Sequence, residues 1–335
     1  MEPQRKRLKH SDCDSWEAVP VLSDAQSNDV ELVEAFAAPI LNKRETSRLV
    51  RELSGIYPLS QLQHIKRVRA CKEKNSPHPL EVLLCLTAEA PDSELVSIKS
   101  LLPPEEINHD GLGEPFVVKV PARAPLTRPQ FEIASKYWPT SFHEDKHVTV
   151  ALSGELFSTA QKTRMHTYMS AALVAAKEAK GLGMEAVGAV VVDPATETVI
   201  AVGHDCRTDH PLHHAVMVCI DLVARSQGGG CYSFDQYPAC SFTSVASDPS
   251  AGTSALPYIC TGYDIYVTRE PCVMCAMALL HSRIGRVFYG CSFVDGALGT
   301  KFKIHAQKEL NHRFEVFKGV MEGQCQELYQ QEKGP

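Results

Sequence analysis

The second half of the chain opens with apolar residues that recur at the spacing of a helix. The pattern predicts a long helix over residues 158–179, which the glycines at 181 and 183 then end. Its apolar positions are Met165, Met169, Leu173 and Ala176. The next segment, 186–192, is apolar throughout, as in a strand that is buried on both faces. A helix packed against a sheet is therefore expected here.

Further elements follow in the order β-β-α-β-α-β. The predicted strands are 186–192, 198–203, 265–267 and 286–289, and the predicted helices are 214–225 and 271–282. The segment 227–257 is rich in Gly, Ser, Pro and Ala, and we expect a surface insertion without structure of its own. This order predicts an α/β domain over 151–335, with helices on a mixed sheet.

The first half of the chain predicts a smaller α/β domain over residues 28–125. Its expected strands are 30–40, 65–70, 80–88 and 116–120, and its expected helices are 42–53 and 94–102. Leu49 and Leu53 lie four residues apart and share one face of the first helix. The order β-α-β-β-α-β fits a sandwich of helices on a sheet. Residues 1–27 are expected to be a disordered basic tail, and 126–150 a linker, because 121–129 is rich in proline.

Composition narrows the class of protein. A chain of 335 residues accommodates two domains, and its 44% hydrophobic and 22% charged residues are those of a globular protein. The sequence contains neither an apolar run of the roughly 20 residues that a membrane helix needs nor a secretory signal, so no membrane partner is expected. The 12 cysteines are therefore expected to be core residues and metal ligands rather than a disulfide framework.

The net charge of −6 restricts RNA binding to local basic patches. One patch lies on and after the strand at 65–70, where a solvated face is the alternative to phosphate contact; it comprises Lys66, Arg67, Arg69, Lys72 and Lys74. The segment 5–9, RKRLK, is a solvated tail, a nuclear import signal or an RNA-binding arm.

A histidine and two cysteines have the spacing of metal ligands. Cys272 and Cys275 lie three residues apart at the start of a predicted helix, so both sulfur atoms fall on one side of it. His214 starts another helix and is a possible third ligand, although spacing alone makes His213 equally suitable. A pair of core cysteines and a redox pair are the alternatives.

Two motifs resemble the signature of the zinc nucleoside deaminases, and within them the tRNA adenosine deaminases. Segment 210–217 reads HPLHHAVM, and segment 268–283 reads TREPCVMCAMALLHSR. The signature is H-x-E followed by P-C-x-x-C. The resemblance implies a cytidine-deaminase-like three-layer domain, with helices on both faces of the mixed sheet. It also implies zinc ligation by His214, Cys272 and Cys275, and it aligns Val216 with the glutamate of the signature.

The valine at this position implies that the chain lacks deaminase activity of its own. In such enzymes zinc activates a water molecule, and the glutamate carries protons to the purine ring and to the leaving ammonia. Valine has no group that binds a proton. Glu270 is the nearest carboxylate in sequence and the alternative candidate for this role. Asp205 stands where bacterial relatives carry an asparagine that contacts the ribose.

With the glutamate missing, the chain most resembles the non-catalytic subunit of the eukaryotic heterodimeric tRNA adenosine deaminase, which forms inosine at the wobble position. The resemblance implies a catalytic deaminase paralogue and tRNA as partners, and a nuclear and cytoplasmic location. It implies a structural zinc whose fourth ligand is Cys206, Cys219, a carboxylate or water. By the same analogy a second basic group contacts the anticodon stem-loop, an exposed basic edge being the alternative: Lys301, Lys303, His312 and Arg313.

Two other functions remain open from the sequence. One is an active zinc nucleoside deaminase that uses another carboxylate. The other is a zinc-stabilised interaction protein unrelated to RNA. Val216 argues against the first, and the match of the cysteine motif to tRNA deaminases argues against the second.

Overall fold

Two compact units make up the described chain. The computed structural model describes residues 16–71, 78–90, 97–103, 105, 107–244 and 257–330. One unit spans residues 24–149, and the other contains the described residues before 24 and from 150 onward. No helix among these residues has the length and apolar composition that crossing a bilayer requires.

The described strands and helices are as follows. The strands are β1 (Val19–Pro20), β2 (Leu32–Ile40), β3 (Val68–Ala70), β4 (Leu80–Leu86), β5 (Phe116–Pro121), β6 (Gly188–Asp193), β7 (Thr198–His204), β8 (Ser241–Phe242), β9 (Asp264–Arg269), β10 (Arg286–Cys291) and β11 (Glu315–Lys318). The helices are α1 (Asp24–Ser27), α2 (Thr46–Ile56), α3 (Ile98–Leu101), α4 (Arg128–Tyr137), α5 (Lys146–Leu152), α6 (Thr159–Gly181), α7 (Ala215–Ser226), α8 (Val273–His281) and α9 (Glu322–Gln330).

The smaller unit has the predicted β-α-β-β-α-β order. Its antiparallel sheet has the strand order β3-β4-β2-β5. Helices α2 and α3 pack on one face of this sheet through Leu49, Leu53, Ile98 and Leu101. Trp138, at the end of α4, is fully buried against the opposite face. The prediction that this part of the chain has an α/β fold is confirmed.

The expected linker at 126–150 contains α4 and α5 instead. Thr127 caps the amino end of α4 by accepting the N–H of Gln130, and a proline stands in the first turn. Proline suits this position because its missing N–H would have no partner within the helix. The prolines of 121–129 therefore end a strand and begin a helix, and the compact unit extends to residue 149.

The larger unit is built on a mixed sheet with the order β1-β11-β10-β9-β6-β7-β8. Strands β9, β10 and β11 are parallel, and β6 joins them antiparallel through β9. Successive residues of β6 enter opposite cores. Val191 packs in a core with α7 and α8, whereas Val190 and Val192 pack in a core with α6. The predicted three-layer α/β fold, with helices on both faces of the sheet, is confirmed.

Two segments that were expected to lack regular structure, 1–27 and 227–257, contain strands or a helix in their described parts. Residues 19–20 form β1, which pairs with β11, and residues 24–27 form α1, so the part of the expected tail after residue 15 is ordered. In the expected insertion, β8 pairs with β7, and Phe234 and Tyr237 are buried in the core. Widely spaced aromatic residues give no periodic pattern, which is why this packing was not predicted.

Candidate metal centre

Two helix amino termini position the predicted zinc ligands. His214 is the N-cap residue of α7 and Cys272 is the N-cap residue of α8, both with extended backbone and neither making a side-chain capping bond. Helices α7 and α8 pack against each other. Because helix amino termini carry partial positive charge, they favour thiolates at this point. Pro271, expected at the first helical position, lies just before the cap instead.

The donor atoms of His214, Cys272 and Cys275 all lie within 4.8 Å of one another. The Nδ1 atom of His214 is 3.7 Å from the Sγ atom of Cys272. Two ligands about 2.1 and about 2.3 Å from a zinc ion, at a tetrahedral angle, are about 3.6 Å apart. The three side chains therefore fit zinc. His213 is excluded from this cluster because its ring packs against Tyr232 and Phe234.

Each of the two cysteines shifts the pKa of the other. A hydrogen bond from the Cys275 thiol, aided by His214, lowers the pKa of Cys272 to about 3. The same hydrogen bond, together with burial, raises the pKa of Cys275. Of the two cysteines, Cys272 is thus the one that loses its proton more readily. Since zinc binds thiolates, a metal ion would displace the remaining proton from Cys275.

Val216 occupies the second position of α7, two residues after His214. Its side chain is 3% exposed and belongs to the same buried cluster as Cys275. A valine there fills space in the core and offers neither a proton donor nor an acceptor. The site therefore has the three ligands of the deaminase signature without its proton-transferring group.

Glu270 is fully occupied by a structural role. One carboxylate oxygen accepts the backbone N–H groups of Leu298, Gly299 and Thr300 at 2.7–3.0 Å. The other accepts the N–H of Phe293 and the hydroxyl of Thr300. The side chain is 2% exposed. Glu270 thus holds the loop after β10, which does not suit the proton-transfer role considered from the sequence.

Asp205 is held by an ion pair. It is buried, and its carboxylate accepts the Arg207 Nε–H at 2.8 Å and the Arg207 backbone N–H at 3.2 Å. Burial raises the pKa of Asp205, and the neighbouring Arg207 opposes this shift. Asp205 stands where bacterial relatives carry an asparagine, and the positive charge of Arg207 balances the charge of its carboxylate.

Neither cysteine considered as the fourth zinc ligand belongs to the described cluster. Cys219 is fully buried and donates to the carbonyl oxygen of Ala189. Cys206 lies instead with His204 and Cys240 in a second cluster of possible metal ligands. Sequence reasoning did not find this cluster, because Cys240 lies in the segment that was expected to have no structure.

Two of the residues predicted to contact RNA bond to other groups of the smaller unit. The Arg67 guanidinium donates to four carbonyl oxygens of the smaller unit, at 2.6–3.1 Å, and burial lowers its pKa to about 10. Arg69 pairs with Glu81 and stacks on Trp138, 4.1 Å from the ring centre. Both cations already have partners within the smaller unit, which compete with the phosphate contact expected of them, and that contact stays a prediction. A basic strand in sequence does not reveal which cations are paired.

The remaining predicted RNA contacts are spread over both units. Lys66 is exposed, and Lys301 is exposed and paired with Asp295. The His312 ring is part-buried and bonds the carbonyl of Ile284, and exposed Arg313 donates to the carbonyl of Lys308. Lys303 is half-buried with a left-handed backbone. Lys72 and Lys74, like segment 5–9, lie outside the described residues.

Family models match both units of the chain. Residues 33–138 match the tRNA-specific adenosine deaminase TAD3 N-terminal domain. Residues 162–291 match the cytidine and deoxycytidylate deaminase zinc-binding region, and 256–328 match MafB19-like deaminase. The region 162–291 contains all three candidate zinc ligands.

Similar proteins cover nearly the whole chain. The probable inactive tRNA-specific adenosine deaminase-like protein 3 of Danio rerio is 63% identical over 98% of this chain and 99% of that protein. The protein of the same name in Homo sapiens is 57% identical, over 93% of this chain and 92% of its own length. In Schizosaccharomyces pombe, the tRNA-specific adenosine deaminase subunit tad3 is 31% identical over 77% of this chain and 74% of that protein. The chain therefore belongs to the family of tRNA-specific adenosine deaminase-like protein 3, whose yeast and plant members are named TAD3.

Proposed function

We propose that this chain is the non-catalytic, zinc-containing subunit of a tRNA adenosine deaminase that forms inosine at the wobble position. The observation that carries the proposal is Val216, a buried aliphatic side chain in a site that keeps its three metal ligands. A metal site that retains its ligands and loses its proton carrier is suited to a structural role. Relatives that are 63% and 57% identical are named probable inactive, which supports the same conclusion.

Zinc bound by His214, Cys272 and Cys275 would join the amino ends of α7 and α8. It would supply structural cross-linking between two helices that lie side by side. The two carboxylates near the site in sequence do not substitute for the missing glutamate. Glu270 holds a loop, and Asp205 is paired with Arg207.

We further propose that the surface around α8 binds a catalytic deaminase paralogue. Three large apolar side chains are exposed there: Val273 at the start of α8, Val294, and Phe302. Backbone contacts join their segments, because Cys272 pairs with Gly296 and the N–H of Ala297 donates to Pro271. Exposed apolar side chains rimmed by polar residues are typical of protein interfaces.

We propose that the smaller unit and basic residues of the larger unit each contribute contacts to tRNA. The name of the matched family model supports this assignment, as does the naming of the fission yeast relative as a subunit of a tRNA-specific enzyme. Lys66, Lys301, Lys303, His312 and Arg313 are the proposed contacts among the described residues. Because the chain has a net charge of −6, these local cations must provide the attraction to phosphate.

The test is inosine formation at the wobble position of a tRNA substrate. The purified chain is assayed alone, the catalytic paralogue is assayed alone, and the two are then mixed. We expect inosine only in the mixture, because one chain lacks the proton carrier and the other lacks its partner. Inosine from this chain alone would overturn the proposal.

A pair of variants separates assembly from chemistry. Replacing the exposed Val294 with Asp should prevent formation of the mixed complex and abolish the mixture's activity. The matched control is Val174→Asp, another exposed valine, on α6, which should leave both unchanged. If Val294→Asp leaves the complex intact, the proposed interface is wrong while the inactivity of the isolated chain still stands.

The proposed location is the nucleus and the cytoplasm. It rests on the basic segment 5–9 and on the processing of tRNA that the family names describe. A fluorescent fusion of the full chain should enter the nucleus, and replacing these basic residues with Ala should keep it in the cytoplasm. Equal nuclear entry of both fusions would refute the role of the segment.

A further inference from the structure

A second group of metal-ligating side chains lies apart from the deaminase ligands. It consists of His204, Cys206 and Cys240, whose donor atoms all lie within 4.8 Å of one another. His204 and Cys206 are fully buried, and Cys240 is half-buried. Its three members are all histidine or cysteine, the donors that zinc prefers, and no acidic surface residue takes part. This distinguishes the group from a solvated cluster of carboxylates.

The histidine of this group is held as metal-binding histidines usually are. Its Nδ1 atom lies 2.8 Å from the backbone carbonyl oxygen of Asp205, to which it donates. That hydrogen bond fixes the tautomer and leaves the lone pair on Nε2. Nε2 is buried and has no hydrogen-bond partner among the described residues. An unpartnered buried nitrogen is costly, and a metal ion would remove that cost.

The two sulfur atoms complete the donor set. The Cys206 Sγ atom lies 3.7 Å from the Nδ1 atom of His204, so its sulfur is beside the imidazole ring, and one donor atom from each of the three side chains falls within the same 4.8 Å.

The position of Cys240 links the group to the inserted segment. Cys240 directly precedes β8, the edge strand that pairs with β7, and His204 is the last residue of β7. The preceding segment is also fixed, since Tyr237 packs edge-on against His204 at 5.4 Å and donates its hydroxyl to Asp209. A metal ion here would fasten the inserted segment to the edge of the sheet.

We propose that His204, Cys206 and Cys240 form a second zinc site, independent of the deaminase-type site, that anchors the inserted segment to strand β7. The site would take zinc or a similar thiophilic divalent cation. It goes beyond the proposed function, because its metal neither requires nor supplies deaminase chemistry. A fourth ligand from solvent would complete a tetrahedral set.

The principal competing explanation is a disulfide between Cys206 and Cys240. Both cysteines are free in the structure. A disulfide would consume both thiol groups and exclude the metal, and it would lower the mass of the intact chain by two hydrogen atoms. Metal content and intact mass therefore separate the two explanations.

The test is the zinc content of the purified full chain, prepared under reducing conditions. We expect about two zinc ions per chain. Cys240→Ser should lower the content to about one, and so should Cys272→Ser combined with Cys275→Ser. The matched control is Cys231→Ser, an exposed cysteine of the same inserted segment, which should leave the content at two. One zinc per wild-type chain, unchanged by Cys240→Ser, would overturn the proposal.

A second measurement does not depend on the folding of a variant. The wild-type chain is treated with an alkylating reagent, with and without a zinc chelator, and modified cysteines are identified by mass spectrometry. Cys240 should be protected until the chelator is added, whereas exposed Cys231 should react in both cases. Reaction of Cys240 at the same rate without chelator would refute the site, as would an oxidised Cys206–Cys240 pair.

Discussion

Glu270→Gln tests whether the carboxylate next to the cysteine motif is structural or catalytic. Its two oxygens accept five hydrogen bonds from the loop that follows β10. A glutamine oxygen replaces the one that accepts three N–H groups, and its NH2 group then faces the N–H of Phe293. One buried donor loses its partner, at a cost of about 1–3 kcal/mol, and three bonds lose the benefit of a charged acceptor.

These effects together predict a loss of about 3 kcal/mol in the free energy of unfolding, after the lower cost of burying a neutral group is allowed for. For a unit of this size that corresponds to a fall of about 6–12 °C in melting temperature. Calorimetry of the full chain measures it, and hydrogen exchange should show faster exchange at residues 293–300. The matched control is Glu309→Gln, an exposed glutamate, which should melt as the wild type does.

The competing role predicts the opposite pair of results. If Glu270 transferred protons, Glu270→Gln would abolish inosine formation by the mixture of the two chains and leave the melting temperature unchanged. That outcome would refute our assignment of Glu270 to the loop. A lower melting temperature with activity retained at permissive temperature would support it.

Three further predictions concern the metal, the small unit and pH. Cys272→Ser with Cys275→Ser should release one zinc and dissociate the mixed complex in size-exclusion chromatography, and an intact complex with unchanged melting would contradict structural zinc. Arg67→Lys should destabilise the small unit by about 2–4 kcal/mol with unchanged salt dependence of tRNA binding, whereas Lys66→Glu should weaken that binding in filter assays. Burial raises the pKa of three tyrosines above that of tyrosine in the unfolded chain. The larger unit should therefore lose stability as pH rises above about 10, where tyrosine in the unfolded chain ionises. Phenolate absorbance should then appear together with unfolding. The three tyrosines are Tyr266, Tyr289 and Tyr329.

The deaminase-type site was predictable because its ligands lie in short local motifs. Cys272 and Cys275 are separated by one helical turn, and the resemblance fixed His214 rather than His213 as their partner. The buried strand at β6 was equally clear, since an apolar run marks a strand covered on both faces.

What the sequence did not reveal depends on contacts between distant residues. Arg67 and Arg69 resembled a phosphate-binding face, but the carbonyl oxygens and Glu81 that engage them come from other elements. Cys240 is 34 residues from Cys206, and only the pairing of β8 with β7 brings them together. Charge and spacing along a chain do not report such pairing.

Val216 also makes the loss of activity difficult to reverse in evolution. Its side chain has become part of the core that supports α7 and α8. A single mutation to glutamate would place a carboxylate where the surroundings are apolar, at a cost of several kcal/mol or with a strongly raised pKa. That cost is comparable to the total stability of a typical domain. Selection for folding therefore opposes the first step back to an enzyme.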